Sequence, residues 1–322
     1  MYGQLSYKSK QFFIAIIKLS IIVGASYYIY NKLLNNENLD FSEFISFLTK
    51  IDAFSTKNIV FLLFLTIFNW FFEILKWRIL VSTIKKISFF EALEQSLGGL
   101  TASLITPNRI GDYGAKAIYF EKQYRKRIVF LNLMGNVSQM TITTILGIIG
   151  VVIFYSTYDL DLNYQKILRI FIIIVIVVSF SIFGLQRSRF KIKGFSIERL
   201  IEFIKNLPQR IHISNLGLSF IRYLIFSFQF YFFLQIFGVD IDYKSAMIVL
   251  SSSYLLASIV PSLAVFDVLI KTGAAVYLFS FLGVNELTIL CISTLMWLLN
   301  FILPSMFGSY FVLNFKVPKA SD

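Results

Sequence analysis

The sequence predicts an all-α polytopic membrane protein, with about six full transmembrane helices and two re-entrant helical hairpins in an inverted-repeat arrangement. Three observations carry that prediction. Of 322 residues, 57% are hydrophobic and only 15% charged. Apolar runs of spanning length recur along the chain, and they are continuous rather than alternating, which argues against a β-barrel. Two segments centred on Pro107 and Pro261 are too apolar for loops yet broken by proline and charge.

Taken in order, Lys8 and Lys10 precede an apolar run from Phe12 to Tyr30. This run is long and lacks a small-residue cleavage site, so it reads as a retained first span. Asn58 to Leu80 is the second. It carries Asn69, Glu73 and Lys76 at helical spacing, one polar stripe on one face. It ends in KWRIL, with Trp77 suited to the interface and Lys76 and Arg78 able to snorkel.

Ser96 to Glu121 reads as the first hairpin. Its first limb, to Thr106, would reach about 16 Å as helix, roughly half of a hydrocarbon core. Pro107 and Gly111 are its hinge residues, as Pro261 is of the second hairpin. Asp112 and Lys116 stand four apart and so can pair on one helical face, with Arg109 just before them. Ionisable residues at membrane depth are functional candidates by default. The bland alternatives are an amphipathic hairpin on the cytoplasmic surface and a pair that only pins the turn.

Ile128 to Tyr155 is the third span, with Asn132, Asn136, Gln139 and Thr143 on one face. Such residues either line a cavity or hold helices together by hydrogen bonds of about 0.6 kcal/mol each. Ile167 to Leu185 is the fourth span, followed by a basic polar loop at 186–215 that holds His212. Leu216 to Phe237 is the fifth, with Arg222 and Gln229 seven apart. At about 245–282 the pattern of the first hairpin returns. Ala257 to Pro261 echoes Ala102 to Pro107, and Asp267 and Lys271 are again four apart. Thr288 to Leu313 is the last span, interrupted by Asn300 and Pro304.

The net charge of +12 fits cytoplasmic loops beside anionic lipid rather than nucleic acid. Lys and Arg concentrate at Lys8–Lys10, 76–86, 122–127, 187–210 and Lys316–Lys319. Placing these groups inside puts both termini in the cytoplasm and opens the two hairpins to opposite sides. The chain then reads as a single integral membrane domain, 1–322, with half-repeats at about 1–157 and 158–322. One cysteine and one histidine argue against an intrachain disulfide, a zinc site or a Ser-His-Asp triad. No phosphate-binding glycine motif is present. No cofactor, metal or catalytic residue is expected.

KWRIL at 76–80, Pro107-Asn108-Arg109-Ile110-Gly111-Asp112 and the segment from Pro261 to Asp267 together resemble the flippase-like transmembrane domain of the lysylphosphatidylglycerol synthase group. Lys116 sits where that family often has arginine. The second segment departs from the pattern, with Ser262 to Phe266 where the family favours glycines. The resemblance covers nearly the whole chain. It implies a domain that moves a lipid between leaflets, in a stand-alone member without the soluble synthase domain, in the bacterial cytoplasmic membrane.

The expectation is therefore a transporter rather than an enzyme: a flippase for a phospholipid or polyprenyl-linked lipid with an anionic or zwitterionic headgroup. Arg109, Asp112, Lys116, Asp267 and Lys271 would hold the headgroup, with Glu73, Asn136, Gln139 and Arg222 lining the path. Two alternatives stay open: a membrane transferase acting on polyprenyl-linked sugars, and a small-solute or ion transporter of similar architecture.

Overall fold

The computed structural model describes residues 55–104, 106, 110–158, 197–259 and 264–315, with the side chains of residues 110, 197–200, 259 and 264–270 outside the description. These residues form helices α1 (Thr56–Val81), α2 (Phe89–Leu104), α3 (Ile110–Ile118), α4 (Arg125–Thr157), α5 (Ile197–Lys205), α6 (Gln209–Ile236), α7 (Tyr243–Ile259), α8 (Ala264–Ser280), α9 (Glu286–Trp297) and α10 (Leu303–Asn314). A π-helical turn at Leu298–Ile302 joins α9 to α10 without a break. No strand occurs among the described residues.

Four rods are long and apolar enough to cross a membrane: α1, α4, α6 and the continuous Glu286–Asn314. They coincide with four of the six expected spans. The other two, Phe12–Tyr30 and Ile167–Leu185, lie outside the described residues. The pairs α2–α3 and α7–α8 occupy the two expected hairpins. With 16 and 17 residues, α2 and α7 reach about 24–26 Å, short of the roughly 30 Å of a hydrocarbon core.

The elements start earlier than hydropathy suggests because local capping sets the boundary. Ser88 and Glu91 form a reciprocal capping box: the Ser88 N–H donates to Glu91 Oε2 at 2.6 Å and the Glu91 N–H to Ser88 Oγ at 3.1 Å. This starts α2 at Phe89, one to two turns before the apolar run proper. At the matching place before α7, Asp242 Oδ2 accepts from the Ser245 N–H at 2.9 Å. The segment at 186–215 is not loop throughout. Residues 197–205 are helical, with Ile197, Leu200, Ile201 and Ile204 spaced for one face. Pro208 then opens α6, so His212 sits on a helix, its Nε2 at 3.1 Å from the Ile204 carbonyl.

Packing couples the helices in a crossed pattern. α1 lies along α6, α4 along α7, and α10 along α2. Small residues permit the closest approaches. A side chain at Gly308 would meet the Leu97 carbonyl and Thr101 of α2; one at Gly147 would meet Ser251 and Leu255 of α7. Two apolar clusters result. One gathers Trp77, Leu80, Val81, Ile128 and Leu131 where α1, α2, α3 and α4 meet. The other gathers Phe230, Leu234, Leu250, Phe279 and Ile292 where α6 to α9 meet. On α1 the second cluster reaches Leu62 and the first begins at Ile74. The polar residues Thr66, Asn69 and Glu73 lie between them.

Candidate functional site

Each of the four rods carries a polar side chain near its middle. Arg222 and Asn300 stand at the middle of α6 and of Glu286–Asn314, Asn69 within a residue of the middle of α1, and Gln139 within a turn of the middle of α4. These four side chains join in one chain of hydrogen bonds. Arg222 Nη1 donates to Gln139 Oε1 at 3.2 Å. Arg222 Nε donates to the backbone and side-chain oxygens of Asn69, both at 3.2 Å. Asn69 Nδ2 donates to Asn300 Oδ1 at 3.1 Å.

The chain extends at both ends. Asn300 Nδ2 donates to Gln229 Oε1 at 2.8 Å, and Gln229 Nε2 to Thr66 Oγ1 at 2.9 Å. The Asn300 carbonyl accepts from Trp70 Nε1 at 3.1 Å. That carbonyl lies within the π-helical turn, a device that often marks functional positions. Gln139 Nε2 also reaches the Ser219 carbonyl at 3.3 Å. Buried oxygens of Asn215, Ser219 and Ser227 line the same stretch of α6 and have no partner among the described residues.

The charges sit one to two turns from the middle of α1. Glu73 Oε2 pairs with Arg222 Nη1 and also with Lys76 Nζ, the latter at 2.8 Å. Lys76 is 2% exposed, so its ammonium depends on that carboxylate. Beyond Trp77 lies the expected hairpin pair. Lys116 Nζ is 3.2 Å from both Asp112 oxygens. Asn132 closes the set, accepting from Lys116 at 2.9 Å and donating to Asp112 Oδ2 at 2.7 Å. Lys116 also lies over the Trp77 ring, 4.6 Å from its centre, while Trp77 Nε1 donates to Gln95 Oε1 at 2.8 Å.

Glycine makes this pairing fit. A side chain at Gly99 would overlap the Asp112 carboxylate, and one at Gly111 would overlap the Ala102 carbonyl. Thr106 ties the two limbs together, donating to the Ser103 carbonyl at 3.1 Å and accepting from the Gly111 N–H at 2.8 Å.

Of the residues expected from the sequence, Glu73, Gln139 and Arg222 come together, and Asp112 and Lys116 pair. Asn136 instead donates to the Tyr113 hydroxyl at 2.9 Å. Lys271 is exposed on α8. Asp267 lies on α8 with its side chain outside the description, and Pro107, Arg109 and Pro261 lie outside the described residues. Asn69, Lys76, Asn132, Gln229 and Asn300 stood out as polar residues within spans, with Asn132 read as cavity lining or helix glue, but were not among the residues expected to hold the headgroup or line its path. For α1 the signal was present in the spacing of Thr66, Asn69, Glu73 and Lys76. Asn300 showed only as an interruption of the last span, with no second polar residue three or four positions away to mark a face. No group of three metal-ligating side chains occurs among the described residues.

The long apolar rods and the polar seam between them define a multi-pass helical membrane protein with a charged interior. A family model described as the lysylphosphatidylglycerol synthase TM region matches residues 15–308. The chain belongs to that family. No curated protein and no solved structure matches it.

Proposed function

We propose that this protein moves a lipid headgroup between leaflets, as a transporter rather than an enzyme, along the seam where α1, α4, α6 and the Glu286–Asn314 rod meet. The observation that carries the reading is the hydrogen-bonded chain Gln139–Arg222–Asn69–Asn300, one residue from the middle of each rod. A headgroup needs polar partners halfway through the bilayer, while its tails stay in lipid. Polar and ionisable groups at that depth are costly and mark transport paths. The family's name supports a lipid-related role.

The hairpins are re-entrant on this reading, with a second limb returning the chain to the side it left. Support for two inverted halves comes from correspondences across the chain. Ser88 and Asp242 cap the first limbs, and Pro107 and Pro261 mark the turns, each pair 154 positions apart. Gly147 abuts Ser251 and Leu255 while Gly308 abuts Leu97 and Thr101, so the contacts exchange when the halves exchange. Gln139 and Asn300 correspond by the same shift as the two glycines. Substrate sites in inverted-repeat transporters lie at such a seam, near the midplane.

Arg109, Asp112 and Lys116 would receive the headgroup at one hairpin, and Asp267 and Lys271 at the other. Both termini would be cytoplasmic, in a bacterial cytoplasmic membrane. The test is transbilayer movement of labelled lipids in proteoliposomes, comparing wild type with Arg222→Met and Asp112→Asn. Movement by the wild type, lost in both variants, is the expected result. Activity unchanged in both variants overturns the reading.

A further inference from the structure

We propose that Lys76 and Arg222 form the seat for one negative charge, a phosphodiester headgroup, and that Glu73 is the stand-in that holds the two cations while the seat is empty. This rests on the lipid-transport reading and narrows its substrate class.

The argument begins with charge. Asp112, Lys116 and Asn132 bond to one another in a closed set with no net charge. The second set is unequal. Lys76 and Arg222 both meet the same oxygen, Glu73 Oε2, so one carboxylate serves two cations. Among the described residues no second anion joins them: Gln139 and Asn69, which bond Arg222, and Asn300 beyond Asn69 are neutral, and the further charge acting on Glu73 is the cation Lys116. Arg109 and Asp267 carry opposite formal charges, so together they leave the count as it is.

Donors are also in surplus. An ammonium has three N–H groups and a guanidinium five. Among the described residues Lys76 has one partner, Glu73, and Arg222 bonds through Nε and Nη1 while Nη2 makes no bond. A guanidinium fork and a buried ammonium suit phosphate oxygens. One uncompensated cation in a membrane interior is costly, and a single added anion brings this set to neutrality. A doubly charged phosphomonoester would overshoot. A lysyl-bearing phospholipid, with one phosphate and two ammonium groups, would add a further positive charge. The seat therefore selects singly anionic diesters over the cationic lipid that names the family.

Competition makes the proposal testable. Removing the stand-in frees the seat, whereas a purely structural Glu73 would make binding worse when lost. The experiment is thermal unfolding of the purified full chain in detergent, titrated with short-chain phosphatidylglycerol, phosphatidylcholine, phosphatidic acid and lysyl-phosphatidylglycerol, and with soluble glycerophosphoglycerol and inorganic phosphate. Phosphatidylglycerol should bind best. Glu73→Gln should bind it about tenfold tighter, and Lys76→Met and Arg222→Met at least about tenfold weaker. Soluble glycerophosphoglycerol binding with the same variant pattern supports the seat and places recognition in the headgroup.

Weaker or unchanged binding in Glu73→Gln overturns the proposal. So does equal binding of the four lipids by the wild type, which decides the matter even where Glu73→Gln does not fold, and so does binding of inorganic phosphate alone. Lipid movement in proteoliposomes separates the two readings. Movement without charge preference leaves transport standing and removes the seat; selective binding without movement does the reverse.

Discussion

The first helical set, α1, α2–α3 and α4, and the second, α6, α7–α8 and α9–α10, share element order, rods and first limbs of similar length, and similarly placed caps. Their chemistry is divided unevenly. The first set holds Glu73, Lys76, Asp112 and Lys116 and closes its hairpin with a buried ion pair. Among the described side chains, the second contributes Arg222 to the seam and surrounds it with amides and hydroxyls, and Lys271 is exposed on α8. Element order thus recurs, while the buried ion pairs among the described residues centre on the first set. Backbone caps and glycine contacts depend on helix ends and small volumes. A buried charge depends on one partner at one place, and here that partner is often in the other set.

The largest effect that would break this comparison is Arg222→Met. It leaves Lys76 as the one cation on Glu73 and cuts the bond between the sets. Unfolding in detergent should show a loss of about 3 kcal/mol, because the Arg222 bonds to Glu73, Asn69 and Gln139 go together while Glu73 and Lys76 stay paired. Asp112→Asn acts within one hairpin, where Asn132 still bonds Lys116. It should cost about 1.5–3 kcal/mol and abolish lipid movement. Lys271→Ala on the opposite hairpin should change stability by no more than about 0.5 kcal/mol. It should still impair lipid movement, since Lys271 is proposed to receive the headgroup there; unchanged movement would assign that chemistry to the first hairpin.

The shared scaffold is tested by glycine. Gly308→Ala drives a methyl into the Leu97 carbonyl of α2, and Gly147→Ala drives one into Leu255 and towards the Ser251 carbonyl. Each should destabilise by about 1–3 kcal/mol, Gly308→Ala more, because backbone yields less than a side chain. Gly114 and Gly273 have nothing near the added methyl, so Ala there should be neutral or up to about 1 kcal/mol stabilising.

The effect at the caps is smaller than at the packed glycines. Ser88→Ala should cost about 0.5–2 kcal/mol. Hydrogen bonds from Ser88 hold the Glu91 carboxyl below its usual range, and those from Ser245 do the same for Asp242. A carboxylate whose folded value is lowered adds stability above its unfolded value and loses it as pH falls through the folded one. Acid titration should therefore weaken both caps together, and Glu91→Gln with Asp242→Asn should flatten that part of the profile.

The legible parts of this molecule were those encoded within one helix. Spans came from long apolar runs, and Asp112–Lys116 from spacing alone. Glu73 and Arg222 were each readable as polar residues in a span, yet their contact crosses 149 positions, and no local period reports it. Asn300 was harder still. It sits at a π-helical turn where the regular spacing of a helix lapses. The early start of α2 was missed because Ser88 and Glu91 act as a pair, and hydropathy sees neither.

The second limbs of the two hairpins differ in length, 9 residues in α3 against 17 in α8. Across this corner the offset between matching positions grows by seven, from 154 at the turns to 161 at the seam, close to two helical turns. A shift near a whole number of turns lets a rod rise without rolling, so Asn300 and Gly308 still face inward as Gln139 and Gly147 do. Natural insertions and deletions at this corner should come in multiples of about three or four residues, because an odd step of one or two would turn the seam's amide towards lipid.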